Sequence, residues 1–398
     1  MTAVTSPGAG RIEWVRTSCR LLASIAAEYE QARPFAGLRI GTGIHLEPKT
    51  VALLLTLKAG GAEVISTGNL NSTQPATVAH LREAGVTVIG EPTRDPEVHR
   101  ADFDGVLDTK PHLLLDNGGD LFVRFLEHPY PGLLGGTEET TSGRKRLEPL
   151  RDAIARPVLV INDSPIKQFA ENEHAVGQSV LESFIRFTNR VTNGRHVVVF
   201  GYGACGRGVA MNFRNAHARV SVVEIDPVVR LRALFDGFAV PDRDEALADA
   251  DIVVTVTGAR DVITARDLPA LADGVILANA GHFPTEIDVD GIAGDPRVLK
   301  RVEATDGIAT FQLITGRSIH LLGGGHMVNL SGPRPLGNSI ESMDLGFSLQ
   351  ARCLEAVARG RVGADSCVVP VPRAIDEQVA AAYVAIARRR AAASPVGA

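Results

Sequence analysis

Residues 196–208 read HVVVFGYGACGRG, and this stretch decides the fold of the chain. A run of β-branched residues breaks into Gly201, Gly203 and Gly206, the G-x-G-x-x-G spacing that joins a strand to a helix in dinucleotide-binding folds. Glu224 ends the next strand-like run about 20 residues later, where a carboxylate accepts hydrogen bonds from an adenosine ribose. That carboxylate would repel a 2′-phosphate, so the pattern favours NAD over NADP. The alternative is glycines that serve a tight turn and nothing else.

Further strand-like runs follow the glycine loop and complete a domain of dinucleotide-binding size. The runs 251–258 (DIVVTVTG) and 274–281 (GVILANAG) both end in small and polar residues, and nucleotides bind at the carboxyl ends of such strands. His282 follows directly, so we interpret it as lying near a cofactor, although a histidine beside a glycine is often an ordinary loop residue. The predicted cofactor contacts at these strand ends are Thr255, Thr257, Gly258, Gly281 and Asn329.

The chain ahead of the glycine loop shows a similar alternation. The segments 37–46 (GLRIGTGIHL) and 62–68 (AEVISTG) are strand-like, and 48–61 (PKTVALLLTLKAGG) between them is typical of a helix. Strands that alternate with helices predict a parallel sheet covered on both faces. The predicted fold class is therefore α/β, with two doubly wound Rossmann-like domains.

The composition argues against several classes of function. With 398 residues, of which 45% are hydrophobic, the chain is long enough for two or three domains. The net charge of −5 and the lack of a long basic run give no reason to expect nucleic acid. No apolar stretch reaches the roughly 20 residues of a membrane span, and the four cysteines are scattered. We therefore expect a cytoplasmic protein with free thiols and no metal site.

Polar clusters follow the strands of the first domain. They are His45, NSTQ (71–74), DNGGD (116–120), TEETTSG (137–143) and NDSPIK (162–167). Each could be ordinary turn chemistry, because these residue types favour turns and caps. Five in succession at strand ends instead indicate a binding site, and TEETTSG suits a polyhydroxylated ligand.

Together these stretches resemble the S-adenosylhomocysteine hydrolase family, from about residue 37 to about residue 355. The segments LKAGGAEV, LDNGGDL, GHFPTEIDV and MDLGFSLQ carry the resemblance together with the clusters above. The resemblance implies a substrate-binding domain that is interrupted by an inserted NAD domain, followed by a C-terminal segment that returns to the first domain. This explains a glycine loop in mid-chain, and we place the three parts at residues 1–176, 177–332 and 333–398.

The resemblance also implies a redox-neutral reaction in which NAD stays bound. NAD oxidises the nucleoside 3′-hydroxyl, a base removes the acidified C4′ proton, the C5′ substituent leaves, and water adds before the ketone is reduced again. Matched residue by residue, His45 lies on the C5′ side of the site, Lys167 beside the 3′-hydroxyl and Asn172 near the nicotinamide. The remaining matches are Glu139, Thr140 and Thr141 at substrate-contacting positions and His282 at the domain crevice.

Several residues depart from the family's pattern. Asn117 stands where the family's DDGGD has an aspartate, and an amide cannot take a proton at neutral pH. Glu171 replaces an aspartate, and Asn338 stands where a histidine is usual. Where the family has a threonine and a glutamate that hold the adenine, this chain has Glu47 and Lys49, and a lysine offers donors alone. The predicted catalytic residues are His45, Asn117, Glu139, Lys167, Glu171 and His282; the predicted substrate-binding residues are Glu47, Thr140, Thr141 and Asn338.

These departures favour a divergent enzyme. Because oxidation-side residues survive while base-pocket and proton-transfer residues change, we predict a nucleoside dehydratase or lyase of nucleoside-antibiotic metabolism. Its reaction would proceed by 3′-oxidation and C4′–C5′ elimination, without the re-addition of water. One alternative is a genuine S-adenosyl-L-homocysteine hydrolase, and a second is a regulator that holds NAD and a nucleoside without turnover. Family members are oligomers, so we expect a homo-oligomer, although the family's NAD-capping tail is shortened here.

Overall fold

A computed structural model gives the three-dimensional structure and describes residues 7–70, 72–305, 307–332 and 334–393. The strands are, in chain order, β1 (Arg39–Ile44), β2 (Glu63–Gly68), β3 (Thr87–Val88), β4 (Leu113–Asp116), β5 (Gly135–Glu138), β6 (Val158–Val160), β7 (His196–Phe200), β8 (Arg219–Val223), β9 (Ile252–Thr255), β10 (Val275–Asn279), β11 (Val298–Thr305), β12 (Ile308–Leu313), β13 (Ser318–Leu322) and β14 (Cys367–Pro370).

The α-helices alternate with these strands along much of the chain. They are α1 (Pro7–Ser18), α2 (Arg20–Ala32), α3 (Pro48–Ala59), α4 (Pro75–Glu83), α5 (Pro96–Asp108), α6 (Asp120–Glu127), α7 (Thr141–Leu147), α8 (Arg151–Ile154), α9 (Val176–Thr188), α10 (Ala204–Asn215), α11 (Pro227–Phe235), α12 (Arg243–Ala248), α13 (Val289–Ala293), α14 (Ile340–Ala358) and α15 (Arg373–Ala393). A π-helical segment, Lys167–Ala175, runs directly into α9.

The chain divides into two compact units. The first unit comprises Met1–Gln168 and Ile340–Ala398, and the second unit comprises Phe169–Ser339. The sequence predicts divisions after residues 176 and 332 instead. The later second boundary has a physical cause, because the loop before α14 is tied to the second unit: the N–H of Gly337 donates to the carbonyl of Asn329. The functional assignment of these domains stays a prediction.

The first unit is built on a parallel sheet with the strand order β14-β6-β5-β4-β1-β2-β3. Its central strands are buried on both faces, as Leu113, Leu114 and Leu115 of β4 show. The chain first moves from β1 to β2 and β3 and then continues from β4 on the other side of β1. Such a reversal opens a crevice at the carboxyl ends of the strands, and ligands bind there in doubly wound folds.

Helix α14 forms part of the core of the first unit. All its residues from Ser342 to Val357 are buried, and it packs on β4 and β5. Asp344 on this helix accepts hydrogen bonds from the N–H groups of Leu21 and Leu22, at 2.9 and 2.8 Å. Helix α2 has no cap from the side chain of its own N-cap residue, Cys19, so Asp344 satisfies its first donors from a distant part of the chain.

The second unit has a mixed sheet with the order β11-β12-β13-β10-β9-β7-β8. Strands β7, β8, β9, β10 and β13 are parallel, and β8 and β9 lie on opposite sides of β7. The reversal of strand order therefore falls beside β7, the strand that leads into the glycine loop. The predicted fold class, α/β with two doubly wound Rossmann-like domains, is confirmed.

Two local features differ from the sequence prediction. Strands β11 and β12 form an antiparallel hairpin that the sequence pattern does not reveal. On β11 the apolar Leu299 is 70% exposed and stands beside Lys300 and Arg301, so the run resembles a polar loop. The apolar spacing of residues 172–192 (NEHAVGQSVLESFIRFTNRVT) predicts one long helix that ends at Asn193. The helix ends at Thr188 instead, because Asn189 adopts the left-handed conformation.

Within the described residues, we find no helix that is both long and apolar enough to cross a membrane. The predicted cytoplasmic location is not tested by this observation and stays a prediction.

Candidate active site

A cluster of buried polar side chains lies at the carboxyl ends of the first unit's strands. Lys167 donates to Glu139 (Nζ to Oε1, 2.9 Å), and Asn117 donates to the other oxygen of the same carboxylate (Nδ2 to Oε2, 3.0 Å). Asn69 in turn donates to Asn117 (Nδ2 to Oδ1, 3.2 Å). All four residues are buried, and we name them the Glu139 cluster. The structure thus brings three predicted catalytic residues together and adds Asn69, which the sequence analysis missed.

The ionic state of Glu139 follows from its neighbours. Burial raises the pKa of its carboxyl group, but the positive charge of Lys167 and hydrogen bonds from Lys167 and Asn117 outweigh that effect. The pKa of Glu139 therefore lies below its ordinary value, and the pair with Lys167 is ionic. A buried ion pair costs much of its attraction in desolvation, so it is weak evidence for a purely stabilising role.

A second pair of buried carboxylates fixes the backbone of this cluster. Glu138 accepts hydrogen bonds from the N–H groups of Gly118, Gly119 and Thr140, and Asp116 accepts from those of Asn117 and Phe122. Burial raises the pKa of Asp116 to about 7 and that of Glu138 well above its ordinary value. The sequence analysis missed Glu138. Strand alternation could have found it, because adjacent Glu138 and Glu139 must face different ways.

Near the start of α3 the structure places His45, Glu47 and Lys49. The His45 ring nitrogen Nδ1 lies 2.6 Å from the hydroxyl of Ser72. Glu47 and Lys49 form a buried ion pair of 2.8 Å, with side chains 7% and 3% exposed. Of the segment NSTQ (71–74), the structure describes residues 72–74, and Asn71 lies outside the described residues.

The two threonines predicted to bind substrate have structural partners. Thr140 is the N-cap of α7, where its hydroxyl accepts from the N–H of Gly143 at 2.8 Å. The hydroxyl of Thr141 accepts from Asn162 at 2.7 Å. Substrate binding by both residues stays a prediction.

In the second unit, three predicted residues meet around Ser179. Asn329 donates to the hydroxyl of Ser179 at 3.0 Å, and that hydroxyl donates to Asn338 at 3.1 Å. Asn338 also donates to Glu171 at 3.4 Å. Asn172 follows on the same π-helical segment and is 8% exposed. The sequence analysis missed Ser179, a small polar residue inside an otherwise ordinary amphipathic helix.

The glycine loop has the geometry that a dinucleotide requires. Gly201 has a φ of +96°, and a Cβ on Gly206 would lie 2.0 Å from the carbonyl oxygen of Gly201. At Gly203 a Cβ would meet nothing within 4 Å, so open space borders the N-terminus of α10, which has no side-chain cap. Glu224 lies against this loop and accepts from the N–H of Tyr202 at 2.8 Å. A tight turn, a close approach for pyrophosphate and an acid for ribose therefore coincide, and these residues fit NAD.

The other predicted cofactor contacts are held by two buried residues that the sequence analysis missed. Glu286 accepts from the N–H and hydroxyl of Thr257 and from the N–H of Gly258. Asn279 accepts from the hydroxyl of Thr255 and from the N–H of Gly281. His282 lies between Asn279 and Glu286 and is partly buried.

Comparison with known proteins identifies the family. The family model for S-adenosyl-L-homocysteine hydrolase matches residues 3–129, and the model for the NAD binding domain of that hydrolase matches residues 172–334. The chain belongs to the S-adenosyl-L-homocysteine hydrolase family. The resemblance drawn from the sequence is confirmed, and so is NAD as the cofactor.

Curated members of the S-adenosyl-L-homocysteine hydrolase family are similar to the chain over nearly its whole length. An S-inosyl-L-homocysteine hydrolase from Methanopyrus kandleri is 39% identical over 94% of this chain and 89% of that protein. An adenosylhomocysteinase from Thermotoga maritima is 38% identical, covering 94% of this chain and 93% of that protein. An adenosylhomocysteinase from Thermococcus kodakarensis is 39% identical, with coverages of 94% and 89%.

The predicted dehydratase or lyase activity is wrong. These relatives in the S-adenosyl-L-homocysteine hydrolase family are named as hydrolases, and the similarity spans both units. The assignment to nucleoside-antibiotic metabolism was tied to that activity and is withdrawn with it. The prediction failed because it gave local substitutions such as Asn117 and Lys49 more weight than the similarity of the whole chain. The chain is an enzyme of the NAD-dependent hydrolase type, and the individual roles of its site residues stay predictions.

Proposed function

We propose that the protein hydrolyses S-adenosyl-L-homocysteine to adenosine and L-homocysteine. The observation that carries the proposal is the buried Lys167–Glu139 ion pair with Asn117 on the same carboxylate, at the strand ends where the first unit's crevice opens. NAD, held by the glycine loop and Glu224, would supply a reversible hydride acceptor for the 3′ carbon. The expected homo-oligomer stays a prediction.

We assign the proton movements to residues of the first unit. Glu139 would take the proton of the 3′-hydroxyl, because its carboxylate is ionised, while the ammonium of Lys167 would donate a hydrogen bond to the 3′-oxygen. Asn117 has no proton to exchange near neutral pH, so it would orient Glu139 through its amide N–H. With Glu139 holding the 3′-hydroxyl proton, the C4′ proton would pass to His45. His45 would also serve the C5′ end, where the homocysteine sulfur leaves.

The test is thiol release from S-adenosyl-L-homocysteine by the NAD-loaded protein, with mass analysis of the nucleoside product. We expect free homocysteine and adenosine in equal amounts. Lys167→Ala should abolish both products, whereas Lys145→Ala, which changes an exposed lysine of the same unit, should leave them unchanged. Absence of thiol release by the unaltered protein would contradict the proposal.

A second candidate substrate is S-inosyl-L-homocysteine, and Lys49 favours it. By the family resemblance, Lys49 stands where a glutamate holds the adenine. The 6-amino group of adenine donates hydrogen bonds, whereas the 6-oxo group of hypoxanthine accepts them. The ammonium of Lys49 is a hydrogen-bond donor alone, so it suits hypoxanthine better than adenine. A higher kcat/KM for the inosyl than for the adenosyl substrate, reduced in Lys49→Gln, would support this candidate. A preference for the adenosyl substrate would exclude it as the better substrate.

A further inference from the structure

The loop that carries His282, residues 280–286, begins immediately after the fully buried side chain of Asn279. This side chain ends β10, and its amide nitrogen lies within hydrogen-bonding distance of three carbonyl oxygens: those of Gly281 (3.2 Å), Phe283 (3.0 Å) and Gly325 (2.9 Å). Its amide oxygen accepts from the N–H of Gly281 at 2.7 Å and from the hydroxyl of Thr255 at 3.2 Å. Asn279 therefore bonds to the backbone on both sides of His282.

The far end of the same loop is held by Glu286. This buried carboxylate accepts from the N–H of Thr257 at 2.9 Å and from that of Gly258 at 2.8 Å. It also presses against the start of the loop, because a Cβ on Gly281 would lie 1.8 Å from its Oε1. The backbone of the His282 loop is thus fixed at both ends by buried polar groups, and its neighbours are the strand ends predicted to hold NAD.

The chemistry of position 279 demands an amide. Its nitrogen faces three acceptors while its oxygen faces two donors, so the orientation of the amide is set by its partners. An aspartate would have the same shape but would place a carboxylate oxygen against three carbonyl oxygens. A residue needed simply to fill space would not show this arrangement, since buried polar groups are costly unless fully bonded.

We propose that Asn279 is a positioning residue that fixes the backbone of the His282 loop and so sets where the His282 side chain acts in the reaction. The side chain of Asn279 is fully buried among protein partners, so it would act through the loop and not by direct contact with the reacting atoms. Since the inference needs a reaction in which His282 takes part, it rests on the proposed function. The amide of Asn279 keeps the loop in register with Thr255 at the neighbouring strand end.

The test is a double-mutant cycle between Asn279→Asp and His282→Gln in the NAD-loaded protein. We expect Asn279→Asp to lower kcat by about 10- to 100-fold with little change in KM, because small displacements of a reacting group cost this much. In the His282→Gln background the same substitution should cost less than about twofold, because the residue that it positions is already gone. Equal losses in both backgrounds would mean a merely structural role and would overturn the inference.

Controls separate positioning from unfolding. Asn215→Asp makes the same chemical change at an exposed site of the second unit and should leave kcat unchanged. If Asn279→Asp lowers the melting temperature or the NAD content, Asn279→Ser, which removes the amide without adding charge, replaces it in the cycle. If the unaltered protein does not release thiol, the proposed function alone is refuted. The double-mutant cycle is then measured by the rate at which adenosine reduces the bound NAD. Failure to reduce NAD as well overturns both.

Discussion

At the scale of single residues, Asn117 stands where the family has an aspartate, and it keeps the hydrogen bonds of the site while removing one titratable group. Its amide joins Asn69 to Glu139, so the hydrogen-bond chain is continuous although the position has no titratable proton. Because position 117 is an amide, Glu139 is the one ionisable carboxylate of the Glu139 cluster, and Lys167 contacts it. The charges of Lys167 and Glu139 balance each other. Removing one of them, or adding a third charge, should therefore have a measurable effect.

The first prediction concerns stability. Lys167→Met should destabilise the protein by about 3 to 5 kcal/mol, because it leaves the buried carboxylate of Glu139 without its counter-charge. Adding Glu139→Gln should recover most of this loss, since an amide needs no counter-charge and can still accept from Asn117. Urea unfolding of both variants measures the difference. Equal stability of the single and double variants would show that the pair is not ionic.

The second prediction concerns pH dependence. Asn117 contacts the carboxylate of Glu139, so Asn117→Asp places a second carboxylate against it. Like charges this close cannot both stay ionised, so one pKa must rise. We therefore expect the acid limb of the kcat profile to move to higher pH. Asn193→Asp, at an exposed site, should leave the profile unchanged. If the pH profile of kcat does not change in Asn117→Asp, residue 117 is not coupled to the group whose ionisation controls the reaction.

At the scale of elements, the glycine loop and helix α2 show two ways in which one residue governs a helix start. In the loop, Gly203 borders open space while Gly206 packs on the backbone of Gly201. At α2 the start is capped by Asp344, which lies more than three hundred residues further along the chain. The loop could be predicted from sequence because its spacing is local, whereas the cap could not, because no local pattern connects Asp344 with Leu21.

Alanine substitutions at Gly206 and Gly203 should therefore affect different properties, the first folding and the second NAD binding. Gly206→Ala places a methyl group 2.0 Å from a carbonyl oxygen, so we expect loss of folded second unit. At Gly203, which has an ordinary φ of −65°, a methyl group would have no atom of the described residues within 4 Å. Folding should therefore persist in Gly203→Ala, while NAD binding weakens because the methyl group enters the pyrophosphate's space. Calorimetry and NAD titration distinguish the two. Full NAD affinity in Gly203→Ala would contradict this placement of the cofactor.

The Asp344 cap predicts a pH-dependent stability. Burial raises the pKa of Asp344 from 3.8 to about 6 in the folded protein. A group whose pKa rises on folding binds its proton more tightly in the native state, so its contribution to stability is full below pH 3.8 and is lost as the pH rises towards 6. The expected loss is about 3 kcal/mol. Asp344→Asn should flatten the plot of unfolding free energy against pH in this window, and Asp365→Asn at an exposed site should not.

At the scale of the whole molecule, the sequence was sufficient for the fold class, the family and the cofactor, because these rest on repeated strand and helix patterns and on long motifs. It was insufficient for the reaction, since Asn117 and Lys49 look decisive when taken singly yet lie within a chain that is similar to hydrolases throughout. It also missed Glu138, Asn279 and Glu286. Each of these buried polar residues binds the backbone of a loop. Strand alternation could have indicated Glu138, but no sequence spacing predicts the contacts of Asn279 and Glu286.

The position of α14 in the chain bears on how the protein is made. This buried helix packs on β4 and β5 of the first unit, yet it is synthesised after the whole second unit, Phe169–Ser339. On a ribosome the first unit's sheet therefore emerges long before the helix that covers it, whereas the second unit is continuous in sequence. Domains fold as units while synthesis proceeds, so the second unit is expected to finish folding first. We therefore expect the first unit, whose apolar sheet lacks the cover of α14 in the interval, to be the part more prone to aggregate during synthesis.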